Sequence, residues 1–317
     1  MTDTRNGVLA LIAACCIWGL SGLFYKTLIG VPPHEVLAHR TFWSLVFFGL
    51  VLGLQGRLHV LWRAVSNWTS FKVIAAAALF ISTNWFLFIW SIHAGRATEA
   101  SMGYYIFPLV AVLLGRVVLG ERLSTTQWVA ITLAALGVTT LTIGLHIVPW
   151  ISLVLASTFG MYGLIKKRLD LGPVVSVSAE VLILCPLALA WLTYIHMGQG
   201  GGAFGRDLTE SLKLMASGPI TALPLILFSY GARRLTMSTV GIVQYINPTL
   251  QFLVAVTIFG EPFGVVHMIA FALIWTALAI YSSSAYTQDR ARRRAVIVAG
   301  AEVVVSTKPS SDLSAKP

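Results

Sequence analysis

Charged side chains are too scarce in this sequence to cover the surface of a soluble protein. Lys and Arg number 22 and Asp and Glu number 12 among 317 residues, so 11% of the chain is charged while 57% is hydrophobic. Soluble domains usually have about 25% charged residues. The scarcity excludes an ordinary soluble globular protein and indicates that most of the chain lies in a lipid bilayer.

The sequence also lacks motifs for metals, cofactors and ATP. His34-Glu35 with His39 differs from a zincin helix because the second histidine comes five residues on rather than four, which places the two on different faces. The Gly-rich stretch 198–205 has no following Gly-Lys-Ser/Thr, so it is predicted to be a flexible connection. The three cysteines fall in apolar runs without metal-type spacing. We expect no metal site and no cofactor, and any driving force must be a gradient.

Apolar runs long enough to cross about 30 Å of hydrocarbon recur along almost the whole chain. Ten spans are predicted, at residues 7–29, 35–54, 71–93, 98–119, 125–144, 147–165, 174–195, 217–232, 236–259 and 264–284. The only sizeable connections are 55–70 and 196–216. The first run is too long for a signal-peptide core, so we interpret it as a retained helix.

The net charge of +10 comes mainly from basic residues on one side of the predicted spans. The even-numbered connections and the tail hold most of them, namely Arg57, Arg63, Lys72, Arg122, Lys166, Lys167, Arg168, Arg233, Arg234, Arg290, Arg292, Arg293 and Arg294. The odd-numbered connections hold far fewer. By the positive-inside rule both termini are cytoplasmic. The charge is therefore a topology signal, and no nucleic-acid partner is expected.

The two halves of the chain repeat each other. Tyr105-Ile106-Phe107-Pro108 recurs 140 residues later as Tyr245-Ile246-Asn247-Pro248, and Gly120-Glu121 recurs at the same offset as Gly260-Glu261. At an offset of 141, Gly19, Gly22 and Lys26 correspond to Gly160, Gly163 and Lys167. Because each half has five predicted spans, an odd number, the second copy enters the membrane from the opposite side. Inverted repeats of this kind are typical of transporters with a substrate site near the midplane.

Several segments resemble RarD proteins of the EamA branch of the drug/metabolite transporter (DMT) superfamily. They are Trp18-Gly19-Leu20, Val31-Pro32, Leu37-Ala38-His39-Arg40, Asn84-Trp85, Gly103-Tyr104, Gly120-Glu121-Arg122, Gln244-Tyr245-Ile246, Pro248-Thr249-Leu250-Gln251-Phe252 and Phe259-Gly260-Glu261-Pro262. The resemblance covers roughly residues 7–284. It implies ten helices, cytoplasmic termini and a central cavity lined mainly by spans one, three, four, six, eight and nine. It implies no substrate, because RarD carries only a label linked to chloramphenicol sensitivity.

Few ionisable residues lie inside the predicted spans, and each needs a partner, water or a function. Glu35, His39 and Arg40 open the second span and are candidates for coupling or gating. The alternative is that Glu35 simply caps the helix N-terminus and Arg40 snorkels to headgroups. Glu180 lies at the repeat position of His39, as a partner for a basic side chain or as a proton site. Our hypothesis at this point is that His39 or Glu180 supports proton coupling.

Amides, aromatic residues and two prolines at mid-membrane depth predict a substrate cavity. A proline inside a helix frees the carbonyl four residues earlier, which is tolerated where protein or cavity water satisfies it. The alternative for the amides and prolines is interhelical hydrogen bonding with a helix kink. For the tryptophans the alternative is core packing or a belt at the membrane interface. The candidate cavity residues are Trp18, Asn84, Trp85, Tyr104, Tyr105, Pro108, Tyr162, Gln244, Tyr245, Asn247, Pro248 and Gln251.

Together these observations predict an all-α membrane protein of ten transmembrane helices arranged as two inverted five-helix repeats, the EamA/DMT fold. The first repeat covers 7–145 and the second 146–285, between a short cytoplasmic segment, 1–6, and a basic, disordered cytoplasmic tail, 286–317. We expect a non-enzymatic secondary transporter of the bacterial inner membrane, an exporter by resemblance, for a small polar or zwitterionic metabolite or drug. The alternatives are an intramembrane enzyme acting on lipid, with His39 and Glu180 as acid and base, and a non-transporting sensor. The expected partners are the substrate and the bilayer; a homodimer is left open.

Overall fold

The computed structural model describes residues 2–120, 123–145, 148–166, 169, 171–198, 201–232, 234–235, 240 and 243–283, and these residues are almost entirely helical. The helices are α1 (Thr2–Lys26), α2 (Pro33–Leu54), α3 (Leu58–Ser66), α4 (Trp68–His93), α5 (Ala97–Leu119), α6 (Thr125–Leu145), α7 (Trp150–Lys166), α8 (Pro173–Met197), α9 (Leu208–Ala232), α10 (Ile246–Leu253) and α11 (Val265–Ser283). A π-helix, Val254–Ile258, continues α10.

Apart from α3, every described helix overlaps one predicted span. Eight of the described helices are long and apolar enough to cross a membrane, while α7 and the α10 segment are apolar but shorter. An all-helical, multi-pass membrane protein is therefore confirmed. The predicted tail, 286–317, and Glu121, Arg122, Lys167 and Arg168 lie outside the described residues.

Residues 55–70, predicted as a connection between two spans, contain the short helix α3. This nine-residue helix is too short to span a bilayer and lies against other helices by one face. Leu61 and Ala64 are buried in a cluster with Ile74 of α4 and Val175 of α8. The Asn67 side chain then caps α4 by accepting a hydrogen bond from the Ser70 N–H at 3.0 Å.

The predicted start of the eighth span was also wrong, because α9 begins at Leu208 rather than at 217. Asp207 caps this helix; its Oδ2 accepts a hydrogen bond from the Glu210 N–H at 2.8 Å. The first turns of α9 carry Glu210, Ser211 and Lys213, so hydropathy alone does not detect them. The connection before α9 is shorter than predicted.

Helices of the first half, α1–α6, pack mainly against helices of the second half, α7–α11. The closest pairs are α5 with α7, α1 with α9, and α2 with α8 and α9, followed by α4 with α7 and α1 with α10. Glycine permits the tightest crossings: a Cβ at Gly218 of α9 would overlap the Trp43 backbone of α2, and one at Gly103 of α5 would lie 2.9 Å from the Ser152 carbonyl oxygen of α7. The halves thus interlock along their length.

The two repeat-related prolines occupy different positions in their helices. Pro108 lies inside α5, which continues to Leu119. Pro248 lies in the first turn of α10, after a turn at Tyr245, where its missing N–H breaks no helical hydrogen bond. Gln244, four residues before Pro248, is again helical, so the helical segment is interrupted at Tyr245 just before the proline. Residues 236–239 and 241–242 of the predicted ninth span lie outside the described residues.

Candidate substrate-binding site

Asn84 lies at the centre of a hydrogen-bonded cluster that joins α4, α5 and α7. Its side chain is completely buried. Nδ2 donates to the Leu155 carbonyl oxygen at 2.9 Å and to the Thr158 hydroxyl at 3.0 Å, and Oδ1 accepts from the Tyr104 hydroxyl at 2.9 Å. A buried amide needs such partners because leaving it unpaired is costly. Asn84 therefore orients Tyr104 and ties the first half of the molecule to α7.

Arg40 lies next to this cluster, in the second turn of α2. Its residue surface is only 6% exposed. The guanidinium carbon lies 4.2 Å from the centre of the Trp85 ring and 5.6 Å from that of Tyr25. The Tyr104 and Tyr25 phenols are its electrostatic neighbours. Arg40, Trp85, Asn84 and Tyr104 thus form one site, which we call the Arg40 site.

Aromatic contacts offset only part of the cost of burying Arg40. Placing an arginine at the centre of a bilayer costs roughly 2.5–3.5 kcal/mol on insertion scales, and a cation–π contact returns about 0.5–2 kcal/mol. Ring faces offer no acceptors for the N–H donors of a guanidinium. Nε is buried without a hydrogen-bond partner, and no carboxylate of the described residues lies within 4 Å. The arrangement is suited to an anionic group.

Aromatic side chains continue from the Arg40 site along α5 and α7. The Tyr104 ring packs edge-on against Phe88 and Phe159, with centroids 6.0 Å apart in both cases. Phe159 also contacts Phe107 at 4.8 Å and Tyr162 at 5.9 Å. These rings form an apolar wall that connects the Arg40 site with a second polar cluster.

That second cluster is a buried ion pair between α7 and α8, here called the Glu180 cluster. Lys166 Nζ lies 2.5 Å from Glu180 Oε1 and donates to the Ser176 hydroxyl at 2.5 Å. The Tyr162 hydroxyl donates to Glu180 Oε2 at 3.1 Å. Glu180 is completely buried, so the charge is compensated locally. Of the two interpretations left open for Glu180, the structure supplies the basic partner.

Glu35 and His39 face the connection before α9 and are not grouped with Arg40. Glu35 Oε1 accepts a hydrogen bond from the Ala203 N–H at 2.6 Å and lies 4.0 Å from His39 Nε2. The His39 ring stacks on Phe204, with centroids 5.1 Å apart. Within the connection predicted to be flexible, Ala203 and Phe204 thus contact a buried carboxylate and a buried ring.

A cavity of about 350 Å³ lies beside His39, between α2, α8 and the same connection. Neither His39 ring nitrogen nor Trp43 Nε1 has a hydrogen-bond partner among the described residues. The cavity is lined by His39, Phe42, Trp43, Leu189, Leu192, Thr193, His196, Met197 and Phe204. Its walls are mainly apolar, and Arg40 does not line it.

The adjacent residues Tyr104 and Tyr105 point to different places because successive helical residues are about 100° apart. The Tyr105 hydroxyl donates to Thr249 Oγ1 at 2.7 Å, and its ring packs edge-on against Phe271 and Trp275. Tyr105 is therefore part of the packing of α5 against α10 and α11, away from the Arg40 site.

The predicted amide face of the ninth span is partly satisfied within itself. Gln251 Nε2 donates to Asn247 Oδ1 at 2.9 Å, while the buried Gln251 Oε1 has no hydrogen-bond partner in the described chain. This segment lies close to α1 at Gly19, where a Cβ would come within 3.0 Å of the Asn247 carbonyl oxygen. Trp18, one residue earlier, contacts Phe228 of α9 at 5.8 Å.

The remaining predicted cavity residues are not part of the Arg40 site by any described contact. Tyr245 packs in the same hydrophobic cluster as Tyr105. Pro248 is buried, whereas Pro108 and Gln244 are half-buried. Of the twelve candidates, Asn84, Trp85 and Tyr104 thus belong to the Arg40 site, Tyr162 to the Glu180 cluster, and Tyr105 and Tyr245 to the packing of α5 against α10 and α11.

Sequence reasoning missed several residues that shape these clusters. Tyr25 of α1 was not singled out, and its signal is weak because one buried tyrosine looks like core. Glu261 was noted only as a repeat motif, yet its carboxylate accepts hydrogen bonds from the Ala97 and Thr98 N–H groups at 2.6 and 2.7 Å and so caps α5. Lys166 was counted only as a topology signal.

Long apolar helices, interlocked halves and a buried polar site between them define a polytopic membrane protein. An EamA-like transporter family model matches residues 5–143. The chain is 41% identical over 289 residues to an uncharacterized transporter of Pseudomonas aeruginosa, covering 91% of this chain and 97% of that protein. It is 39% identical over 295 residues to protein RarD of Escherichia coli, covering 91% and 98%.

The chain therefore belongs to the EamA-like transporter family and groups with its RarD proteins, as the resemblance implied. A solved crystal structure shares the fold with a TM-score of 0.57 at 22% identity, covering 87% of this chain and 96% of that chain. At this identity the likeness concerns the fold alone. The family assignment makes transport the general role of the chain.

Proposed function

We propose that the protein is a secondary transporter of the bacterial inner membrane that moves a small polar or zwitterionic metabolite or drug, in the direction of export, by alternating access. The observation that carries the proposal is the Asn84 cluster. It buries amide and phenol groups where α4 and α5 of the first half meet α7 of the second half. A polar site at such a seam is exposed to either side when the halves rock against each other.

We further propose ten transmembrane helices in two inverted repeats, residues 7–145 and 146–285, with both termini cytoplasmic. Symmetric contacts support this arrangement. Gly19 lies against Leu250, and the repeat-related Gly160 lies against the repeat-related Val110. The repeat-related helices α2 and α8 run antiparallel, as inverted copies require, since His39 lies beside Leu192 near the end of α8 and Leu52 clusters with Val175 near its start.

An intramembrane enzyme using His39 and Glu180 as acid and base fits this geometry poorly. His39 lies beside Leu192 and His196, whereas Glu180 precedes Leu192 by twelve residues on the same helix α8. At 1.5 Å per residue this is about 18 Å along α8, too far for one catalytic site. The Pseudomonas aeruginosa relative is also named as a transporter. We therefore keep transport as the proposed activity.

Flux through purified protein in liposomes tests the proposal. Labelled amino acids, aromatic carboxylates, amines and amphenicols are supplied on one side, with protein-free liposomes as the control. We expect saturable movement of at least one class, with counterflow when unlabelled solute is trapped on the far side. Movement of none of these classes in either direction would contradict the proposed function.

A further inference from the structure

Arg40 lies at the same depth as the polar and aromatic groups around it. It is seven residues from the start of α2, Trp85 is eight from the end of α4, and Tyr104 is seven from the start of α5. These helix ends are on one side of the molecule, since His93 Nε2 lies 3.1 Å from the carbonyl oxygens of Leu28 and Val31. At 1.5 Å per residue the Arg40 site is about 10–12 Å inside the helical ends.

Nearby carboxylates already have other partners. Glu35, on the same helix, accepts the Ala203 N–H. Glu99 is paired with Arg96, and Glu180 with Lys166. Glu261 accepts two backbone N–H groups at the start of α5. No carboxylate of the described residues lies within 4 Å of Arg40, which is 94% buried with Nε unpaired.

We propose that Arg40 binds the carboxylate of the transported solute, a small monocarboxylate with an apolar or aromatic body; this rests on the proposed transport function. A planar guanidinium matches a carboxylate with two parallel hydrogen bonds. The guanidinium carbon lies over the Trp85 and Tyr25 rings, whose faces offer no hydrogen-bond acceptors, and Nε has no hydrogen-bond partner among the described residues. The Tyr104 hydroxyl, oriented by Asn84, is a further polar group beside it.

The charge and the walls of the site define the solute class. A single cation balances one carboxylate, whereas a phosphate dianion usually requires more positive groups. An amine lacking a carboxylate is repelled by Arg40. Phe88 and Phe159, which pack against Tyr104, give the solute body an apolar surface. An amino acid satisfies this class through its carboxylate.

A matched series of ligands separates the contribution of the carboxylate from that of the apolar body. We would measure the affinity of the purified protein for 3-phenylpropanoate, phenylalanine, 3-phenylpropanamide, phenethylamine and inorganic phosphate by calorimetry, and then their flux in liposomes. Wild-type protein is expected to bind and move the two carboxylates. Its affinity for the amide and for the amine should be at least about 30-fold lower, which is the effect of losing one partner of a buried charge pair. Inorganic phosphate is expected to bind no better than the amide.

Arg40→Gln should weaken carboxylate binding by the same factor of about 30 or more. Arg40→Lys should retain part of the carboxylate affinity, because a lysine keeps the charge but loses the planar guanidinium group. Arg96→Gln is the matched control; it removes a partly exposed arginine already paired with Glu99 and should change affinity less than about 3-fold. Size-exclusion profiles and melting temperatures establish that each variant is folded. If Arg40→Gln fails to fold, Arg40→Lys decides the role of Arg40, and unchanged carboxylate affinity in it would overturn the proposal.

The outcomes separate this proposal from the transport function itself. Carboxylate binding and flux that survive in folded Arg40→Gln would overturn the role of Arg40. Flux of the amide, the amine or phosphate without the carboxylates would overturn the solute class and leave transport intact. Absence of flux for every solute, amphenicols included, would overturn the transport function.

Discussion

The two halves of the molecule differ in whether a buried cation has a carboxylate partner. Repeat-equivalent positions in α2 and α8 carry His39-Arg40 and Glu180-Val181. In the second half the charge of Glu180 is balanced by Lys166 at 2.5 Å. In the first half Arg40 contacts aromatic rings and no described carboxylate. The difference suggests that the Glu180 cluster is internally complete, whereas the Arg40 site is completed by a ligand.

Removing the two cations by the same substitution should give the largest contrast in stability. Lys166→Met leaves the buried Glu180 without its cation and should lower the free energy of unfolding by about 3 kcal/mol, the low end of the range because a fifth of the Lys166 side chain is exposed. Arg40→Met removes an uncompensated charge and should leave stability unchanged or raise it. Thermal unfolding in detergent measures both.

The control for this contrast is the double variant Lys166→Met with Glu180→Gln, which removes both charges and should recover most of the lost stability. If Arg40→Met destabilised the protein as much as Lys166→Met, Arg40 would stabilise the fold about as much as an ion pair does. The comparison between the halves would then fail.

Asn84→Leu should have the next largest effect, because it removes two hydrogen bonds that join the first half to α7 and a third that joins α4 to α5. Interhelical hydrogen bonds in membranes contribute about 0.6 kcal/mol on average, so a loss of about 1–2 kcal/mol is expected. Carboxylate affinity should also fall, since Tyr104 loses its orienting partner. Unfolding and binding measured on the same sample test both effects. Full affinity in this variant would remove Tyr104 from the site.

Glu261→Gln probes the junction between the halves. The carboxylate of Glu261 caps α5 through two backbone N–H groups, and a neutral amide should weaken that cap by about 1 kcal/mol. Glu210→Gln, a first-turn substitution in α9 at a half-buried position, is the matched control and should change stability less. Equal effects of the two variants on the melting temperature would show that the cap contributes nothing specific.

Deleting single hydroxyl groups should have the smallest effects and should separate the two polar clusters by function. Tyr162→Phe and Tyr104→Phe each remove one hydrogen bond, to Glu180 and to Asn84, and each should cost about 0.5–1 kcal/mol. Only Tyr104→Phe should also reduce carboxylate affinity, by a few-fold. A reduction in affinity confined to Tyr162→Phe would place the solute at the other cluster.

Hydropathy could predict the helices because a bilayer demands apolar runs of about 20 residues. It did not detect features that the bilayer does not govern, namely the short helix α3 within a predicted connection and the polar start of α9, which depends on the Asp207 cap. Near Pro248 the helix is interrupted at Tyr245, and the exact place of such an interruption cannot be read from a proline in the sequence.

The candidate site was predictable in its depth but not in its pairings. Arg40, Asn84, Trp85 and Tyr104 were selected because polar or aromatic groups at mid-membrane depth need a reason. Which neighbour each contacts depends on helix rotation. The repeat drew attention to Lys167, yet the residue one step earlier, Lys166, pairs with Glu180. Likewise Tyr104 and Tyr105 belong to different clusters, because successive residues of an α-helix point about 100° apart. Composition alone cannot show this difference.

The central claim is that the unpaired Arg40 is completed by the carboxylate of a solute. The most direct test is the ratio of 3-phenylpropanoate to 3-phenylpropanamide affinity in folded wild-type protein and in folded Arg40→Gln. We predict a ratio of at least about 30 in the wild type that falls to near one in the variant. A ratio that is the same in both proteins would contradict the claim.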